Sequence, residues 1–202
     1  MAVETPPNSR ARQKAATREA LLAAGRTVFV RDGYHRASLD RVAAEAGFTK
    51  GAVYGNFATK AELLLAIYEE RSNARAEAIA KAAAGAKDLE HLRRRMVADW
   101  REVIDGERGW SLLLIEFWAH AAREPELRAR LREAHVGVRE AIETALEGVA
   151  ERTGEKLAMP ASELATAVMA LGNGLNLEAF LDESAPRTLY DTASRLLSGV
   201  QP

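Results

Sequence analysis

The sequence predicts an all-α protein, and three observations carry the prediction. No proline stands between Pro7 and Pro125, so the first half of the chain has nothing to break long helices. Aliphatic residues recur at the i, i+3, i+4, i+7 spacing of one helical face, and no stretch alternates convincingly as a strand would. Serine, threonine and glycine stand at the ends of these periodic segments, where helix caps are needed. The first helix begins between Ser9 and Thr17 and runs to Asp32, with Leu21, Leu22, Ala24, Gly25, Val28 and Phe29 on one face and Gly33 as its stop. Ser38 caps a second helix of scarcely two turns, in which Leu39, Val42, Ala43 and Ala46 keep helical spacing up to Gly47. Thr49 caps a third through Asn56, and Thr59-Lys60-Ala61-Glu62 is a capping box opening a long helix that ends near Gly85. Breaks at Asp105-Gly106, Glu124-Pro125, Thr153 to Pro160 and Asp182 to Pro186 divide the remainder into helices over 88–104, 109–122, 125–151, 161–181 and 187–198, roughly nine in all.

Composition narrows the function. Of 202 residues, 48% are hydrophobic and 28% charged, which excludes a chain disordered by composition. The longest apolar run, Leu63 to Tyr68, is far below the roughly 18 residues of a membrane span. The N-terminus has no apolar signal-like stretch and the chain has no cysteine, so a cytoplasmic location is expected. Lack of cysteine also removes thiolate catalysis and cysteine-ligated metals. His35, His91, His120 and His135 form no HExxH motif, and neither a glycine-rich phosphate loop nor a nucleophile elbow is present. Glu116 and His120 are one turn apart, a spacing that suits a metal but more often marks a solvent-facing or hydrogen-bonded pair. The chain is therefore read as a non-enzyme with no metal and no cofactor.

The net charge of −1 conceals segregation. Residues 1–60 carry ten Lys/Arg against five Asp/Glu, whereas residues 61–202 carry eighteen against twenty-four. This divides the chain into a basic N-terminal domain, 1–60, suited to phosphate, and an acidic C-terminal domain, 61–202. A merely solvated basic surface would show the same imbalance.

Residues 38–57 have the spacing of a helix-turn-helix. Small Ala43 lets two short helices approach, Gly47 suits the left-handed turn, and Val42, Ala46, Phe48 and Val53 are expected to fill the space between them. Phe29, Phe48, Val53 and Phe57 are all assigned to the core. The helix from Thr49 to Asn56 is then the recognition helix, leaving Thr49, Lys50, Gly51, Ala52, Tyr54 and Gly55 toward a groove.

Phe29, Gly33-Tyr34, Ser38, Val42-Ala43, Ala46-Gly47, Lys50-Gly51, Val53-Tyr54, Phe57 and Lys60 with Glu62-Leu63-Leu64 form a pattern over Thr17 to Ile67. This stretch, a quarter of the chain, closely resembles the N-terminal domain of the TetR family of transcriptional regulators. The resemblance implies a three-helix DNA-binding domain joined by a long helix to a helical ligand-binding and dimerisation domain. It further implies a homodimer, with paired recognition helices in successive major grooves of a palindromic operator, and a small-molecule effector that lowers DNA affinity. Carried over position by position, it places Thr49, Tyr54, Asn56 and Lys60 on phosphates and Lys50, Gly51, Ala52 and Tyr54 at base edges, with Ser38, Arg41 and Gly55 completing the DNA-facing set. Lys50 is the candidate for guanine O6 and N7, and Lys60 beside helix N–H groups for one phosphate. Gly55 and Asn56 stand where larger aromatic or histidine side chains are frequent in the family, and Ala52 where a hydroxyl is, so direct readout is thin. Arg10, Arg12, Lys14 and Arg18 form an N-terminal arm that either reaches the DNA backbone or minor groove or frays in solvent.

In the acidic domain, Trp100, Trp110, Phe117, His120 and Asn173 are the candidate lining of an effector pocket, against the plainer reading that they are core. The helix containing Val168, Leu171, Gly172 and Leu175 is apolar over too wide an arc for one buried stripe, and with Leu196 these residues are the candidate dimer surface. The reading reached is a DNA-binding, ligand-responsive repressor without a membrane partner. A helical small-molecule carrier or protein-interaction module is the alternative, to be told apart by whether DNA affinity is present.

Overall fold

In a computed structural model that describes residues 9–106 and 108–181, the chain is all-α. Eight helices and no strand occur among these residues: α1 (Ser9–Arg36), α2 (Leu39–Ala46), α3 (Lys50–Tyr54), α4 (Lys60–Ala84), α5 (Leu89–Gly106), α6 (Arg108–Ala121), α7 (Pro125–Thr153) and α8 (Ala161–Leu181). The helix expected over 187–198 lies outside the described residues, as does Leu196. No helix among them is long and apolar enough to cross a membrane. The chain forms two compact units, Met1–Tyr68 and Glu69–Pro202.

The N-terminal unit is built on one apolar face of α1. Leu21, Val28 and Phe29 are fully buried together with Val42 of α2, Val53 of α3, and Leu63 and Ile67 of α4. Gly33 interrupts α1 with φ 74° and ψ 164°, angles that only glycine adopts freely, and helical bonding then resumes to Arg36. The arm is helical from Ser9 onward, with Arg10, Arg12, Lys14 and Arg18 exposed.

Ser38 accepts a hydrogen bond from the Arg41 amide and starts α2. Gly47, at φ 69°, ends it. The Gly47 and Phe48 amides donate to the Ala44 and Ala43 carbonyls, the paired bonds of a Schellman motif. Phe48 departs from the expected core: it is 37% exposed. Once the left-handed residue has turned the chain, the next side chain leaves the α2 axis, and only Phe29, Val53 and Phe57 of that aromatic and aliphatic set are sealed. Ala46 is partly buried. Thr59 accepts from the Glu62 amide and Glu62 accepts from the Ala58 amide, so the capping box at α4 reaches one residue further back than the usual reciprocal pair.

In the C-terminal unit the buried positions of α8 are Ala161, Ala165, Val168, Gly172, Leu175 and Ala179, an alternating four-three spacing that puts them on one face. They meet the buried stripe of α7, in which Val138, Ile142, Ala145 and Val149 join the same core as Leu92, Met96 and Val97 of α5. This corrects the expected dimer surface. Val168 and Leu175 belong to the core of one protomer, Gly172 is buried, and Leu171 packs partly buried against that core. The wide apolar arc exists because α8 buries one face and presents a second, exposed one containing Ala167, Ala170, Gly174 and Leu177. Arg152 of α7 donates to the Ala83 and Ala86 carbonyls, closing the C-terminal end of α4.

Gly33→Ala forces a side chain into a glycine-only backbone region and is expected to cost about 1–3 kcal/mol. The readout is the urea midpoint followed by far-ultraviolet circular dichroism; an unshifted midpoint would reject the strain at this position.

Candidate nucleic-acid interface

The five residues of α3 divide cleanly by burial. Val53 is fully buried and anchors the helix, and Phe57, just beyond it, is 1% exposed. Lys50, Gly51 and Tyr54 face solvent with Thr49 and Gly55, while Ala52 and Asn56 are partly buried. The helix therefore offers a surface with one cation, one phenol and little bulk. Space is open around Gly51, whereas a side-chain carbon on Gly55 would come within 3.2 Å of the Gly51 carbonyl oxygen.

Thr49, Asn56, Arg41 and Lys50 each have a partner within the unit. The Thr49 hydroxyl accepts from the Ala52 amide at 3.3 Å, leaving its own proton to donate. Asn56 Nδ2 donates to the Ala52 carbonyl at 2.8 Å. Arg41 Nη1 lies 2.8 Å from Asp32, which also pairs with Arg31, and Arg31 reaches Glu45 at 3.0 Å. Hydrogen bonding from Arg31, reinforced by Arg41, holds the Asp32 carboxyl below its ordinary range. Lys50 Nζ is 2.6 Å from the Asp40 carboxylate, and that bond raises the Lys50 pKa above its usual value. The partner Asp40 sits in the first turn of α2, ten residues upstream. Nothing in helical periodicity points to it; only the crossing of the two short helices brings the positions together.

Lys60 is employed differently from the sequence expectation. Its ammonium donates to the carbonyls of Tyr34 at 2.8 Å, His35 at 2.9 Å and Ala37 at 3.2 Å, and lies 4.7 Å from the Tyr34 ring centroid. All three protons are committed to the carbonyls that follow the Gly33 break, so no proton is left over for a phosphate. Burial lowers its pKa from the ordinary lysine value.

The residues expected to line an effector site are distributed as follows. Trp110 and Phe117 of α6 are 6% and 0% exposed. His120 and Asn173 are partly buried, and the Trp100 side chain lies outside the described residues. The Arg71 guanidinium stacks 4.5 Å from the Trp110 ring centroid. Ser111, buried beside Trp110, pairs with Asn176 of α8 at 3.2 Å, linking α6 to the helix that carries Asn173. A further half-buried group was not legible from spacing: Trp118 meets His135 edge-on at 5.7 Å, and burial, with Arg139 and Arg75 nearby, lowers the His135 pKa. An open cleft of about 520 Å³ between α7 and α8 is lined by residues including Arg139, Glu143, Glu163 and Thr166; none of the expected lining residues borders it.

Comparisons with known proteins bear on both units. Residues 21–67 match the family model of bacterial regulatory proteins, tetR family, and residues 90–201 match that of the BetI-type transcriptional repressor C-terminal region. The chain is 28% identical over 171 residues to the nicotine-responsive transcriptional repressor HdnoR of Paenarthrobacter nicotinovorans, covering 84% of this chain and 87% of that protein. It is 42% identical over 57 residues to the transcriptional regulator SrpR of Pseudomonas putida, 28% of this chain and 27% of the other. A TetR transcription regulator from Haloarcula marismortui superposes with a TM-score of 0.79 at 18% identity, over 93% of this chain and 100% of that one. The regulator FadR of Bacillus subtilis, in complex with stearoyl-CoA, does so with a TM-score of 0.73 at 15% identity, over 89% and 96%.

Lys60→Met removes the donor from three carbonyls and is expected to lower stability by about 1–3 kcal/mol in urea titrations. Because its protons are already engaged, the slope of log DNA affinity against log salt should stay unchanged; a slope smaller by about 1 would restore Lys60 as a phosphate contact.

Proposed function

The chain belongs to the TetR family of bacterial transcriptional regulators, and from that premise we propose that it is a cytoplasmic, ligand-responsive repressor that binds a palindromic operator as a homodimer. The observation that carries this reading is the exposed face of α3, where Lys50, Gly51 and Tyr54 project from a helix anchored by fully buried Val53. A short helix sealed on one side and free on the other is what a major groove accepts. Lys50 donates to guanine, Tyr54 and the Thr49 and Ser38 hydroxyls reach the backbone, and Ala52 meets a thymine methyl. Arg41, Gly51, Gly55 and Asn56 frame this surface, and the low bulk of the glycines leaves part of the specificity to DNA shape. Repression is supported by the BetI-type match and by the likeness to a nicotine-responsive repressor.

The effector is a small apolar or aromatic molecule held in the C-terminal unit near Trp110 and Phe117, with His120 and Asn173 as polar contacts. Its binding favours a dimer whose recognition helices no longer fit successive grooves. Release of operator then requires a differential affinity of a few kcal/mol between the two states. Among the described residues α4 alone belongs to both units, so it is the route by which effector binding reaches α2 and α3.

The homodimer contact lies on the exposed face of α8. Ala167, Ala170, Gly174 and Leu177 form a stripe of small side chains and one exposed leucine, a surface that another helix can approach closely.

The first test is selection from random duplex DNA at several salt concentrations. A two-fold symmetric consensus is expected; retention without a consensus, falling steeply with salt, would favour a carrier or interaction module with a basic surface. Assembly has its own test. Leu177→Arg should yield folded monomers by light scattering, while Leu175→Arg should unfold the protein because that position is 4% exposed within one protomer; a dimer undisturbed by Leu177→Arg would reject this face.

A further inference from the structure

The recognition surface carries a second chemical group that the comparison with a repressor does not explain. Lys50, the first residue of α3, and Asp40, in the first turn of α2, are joined at 2.6 Å with side chains 68% and 45% exposed. An ion pair this open gains little stability from its attraction, because solvent screens it and both side chains lose freedom. A carboxylate beside the one cation of α3 also weakens attraction to any phosphate. Asp40 therefore lowers general DNA affinity at the place where the proposed function needs contact.

The two groups set a donor and an acceptor side by side. In the major groove a G·C pair shows N7 and O6, both acceptors, next to the cytosine N4 amino donor. An ammonium placed on O6 and N7 leaves a neighbouring carboxylate against N4–H. An A·T pair reverses the arrangement, with the adenine N6 amino group facing the ammonium and thymine O4 facing the carboxylate. Those two contacts repel, and only adenine N7 still accepts from the ammonium. Inverting the pair to C·G exchanges the donor and acceptor sides with the same repulsion.

We infer that Asp40 is a specificity-determining residue, and that Lys50 and Asp40 together read one G·C pair in a fixed orientation in each half-site. Lys50 donates to guanine and Asp40 accepts from the cytosine on the opposite strand. The pair gives up its mutual bond only in part, because both groups remain adjacent on the base edge. Asp40 also suppresses non-specific binding, so its two effects act in the same direction on the ratio of specific to general affinity. The inference rests on the reading of α3 as the helix that enters the groove.

The experiment is selection from random duplex DNA with the full-length wild type, Asp40→Asn and Asp40→Ala, with binding constants then measured on the consensus and on single-pair variants. Thermal unfolding of each variant controls for folding. Both variants lose the charge, but Asp40→Asn keeps an acceptor oxygen. General affinity should rise equally in both. At one G·C position per half-site, Asp40→Ala should lose most of a discrimination of about five- to 150-fold, and Asp40→Asn should retain part of it. Equal gains in affinity with every base preference unchanged would overturn the inference and leave Asp40 as a charge alone. Loss of discrimination to the same extent in both variants would overturn it as well, since the acceptor would then be irrelevant. A wild type that selects no consensus would instead defeat the underlying reading of α3, an outcome distinct from a consensus indifferent to Asp40.

Discussion

The N-terminal unit depends on how the end of α1 is closed. Gly33 breaks the helix, and the carbonyls of Tyr34, His35 and Ala37 are left to find donors outside their own ladder. Lys60 supplies all three from the first residue of α4. The contact works because an ammonium has three protons and no acceptor, matching three converging carbonyls, and because the Tyr34 face lies beneath it. Tyr34 is itself stacked on Phe29 at 6.3 Å, so the clamp is continuous with the core. Ser38 begins α2 one residue after the last of those carbonyls. The direction in which α2 departs, and with it the placement of α3, follows from a junction held by one side chain.

A second consequence concerns charge. The first sixty residues are basic in sum, yet the cations of α2 and α3 are paired, Arg41 with Asp32 of α1 and Lys50 with Asp40, and Arg31 of α1 pairs with Asp32 and Glu45. Such exposed pairs are worth little individually, so they can be exchanged for phosphate or base contacts at small cost. The excess of positive charge that can act on DNA at long range is smaller than the count of Lys and Arg suggests. On the proposed reading of α3, affinity then depends more on fit at that helix than on unopposed charge.

Local chemistry made the helix-turn-helix legible. Ser38, Thr49 and Thr59 each cap the helix that follows, and Gly47 terminates α2 as its left-handed angle requires. These are interactions between residues three or four apart, and sequence displays them directly. Phe48, Lys60 and Asp40 were not legible for the opposite reason. Phe48 looked like core by composition, but the chain turns one residue before it. Lys60 looked like a free cation because its partners lie 23 to 26 positions away, at the end of another helix. Asp40 meets Lys50 only through the crossing of α2 and α3. Hydrophobic spacing likewise placed α5 to α8 to within a few residues, but it could not say which apolar face of α8 meets the chain itself.

That ambiguity in α8 has a physical origin. A helix buried on one side shows an apolar stripe, and a helix that also meets another helix on its far side shows two, which merge into one wide arc when only composition is considered. The structure separates them by burial, since both stripes mix small residues with a leucine. The inner stripe carries Val168 and Leu175, whose volume fills the space against α7 and α5. The outer stripe carries Ala167, Ala170, Gly174 and Leu177, all exposed in the protomer. The inner face stabilises the protomer through the area it buries, while the outer face leaves Leu177 48% exposed, apolar surface that folding alone does not cover. The proposed assembly face of this 21-residue helix is therefore separate from the face that folds the protomer, and each side is open to change without the other.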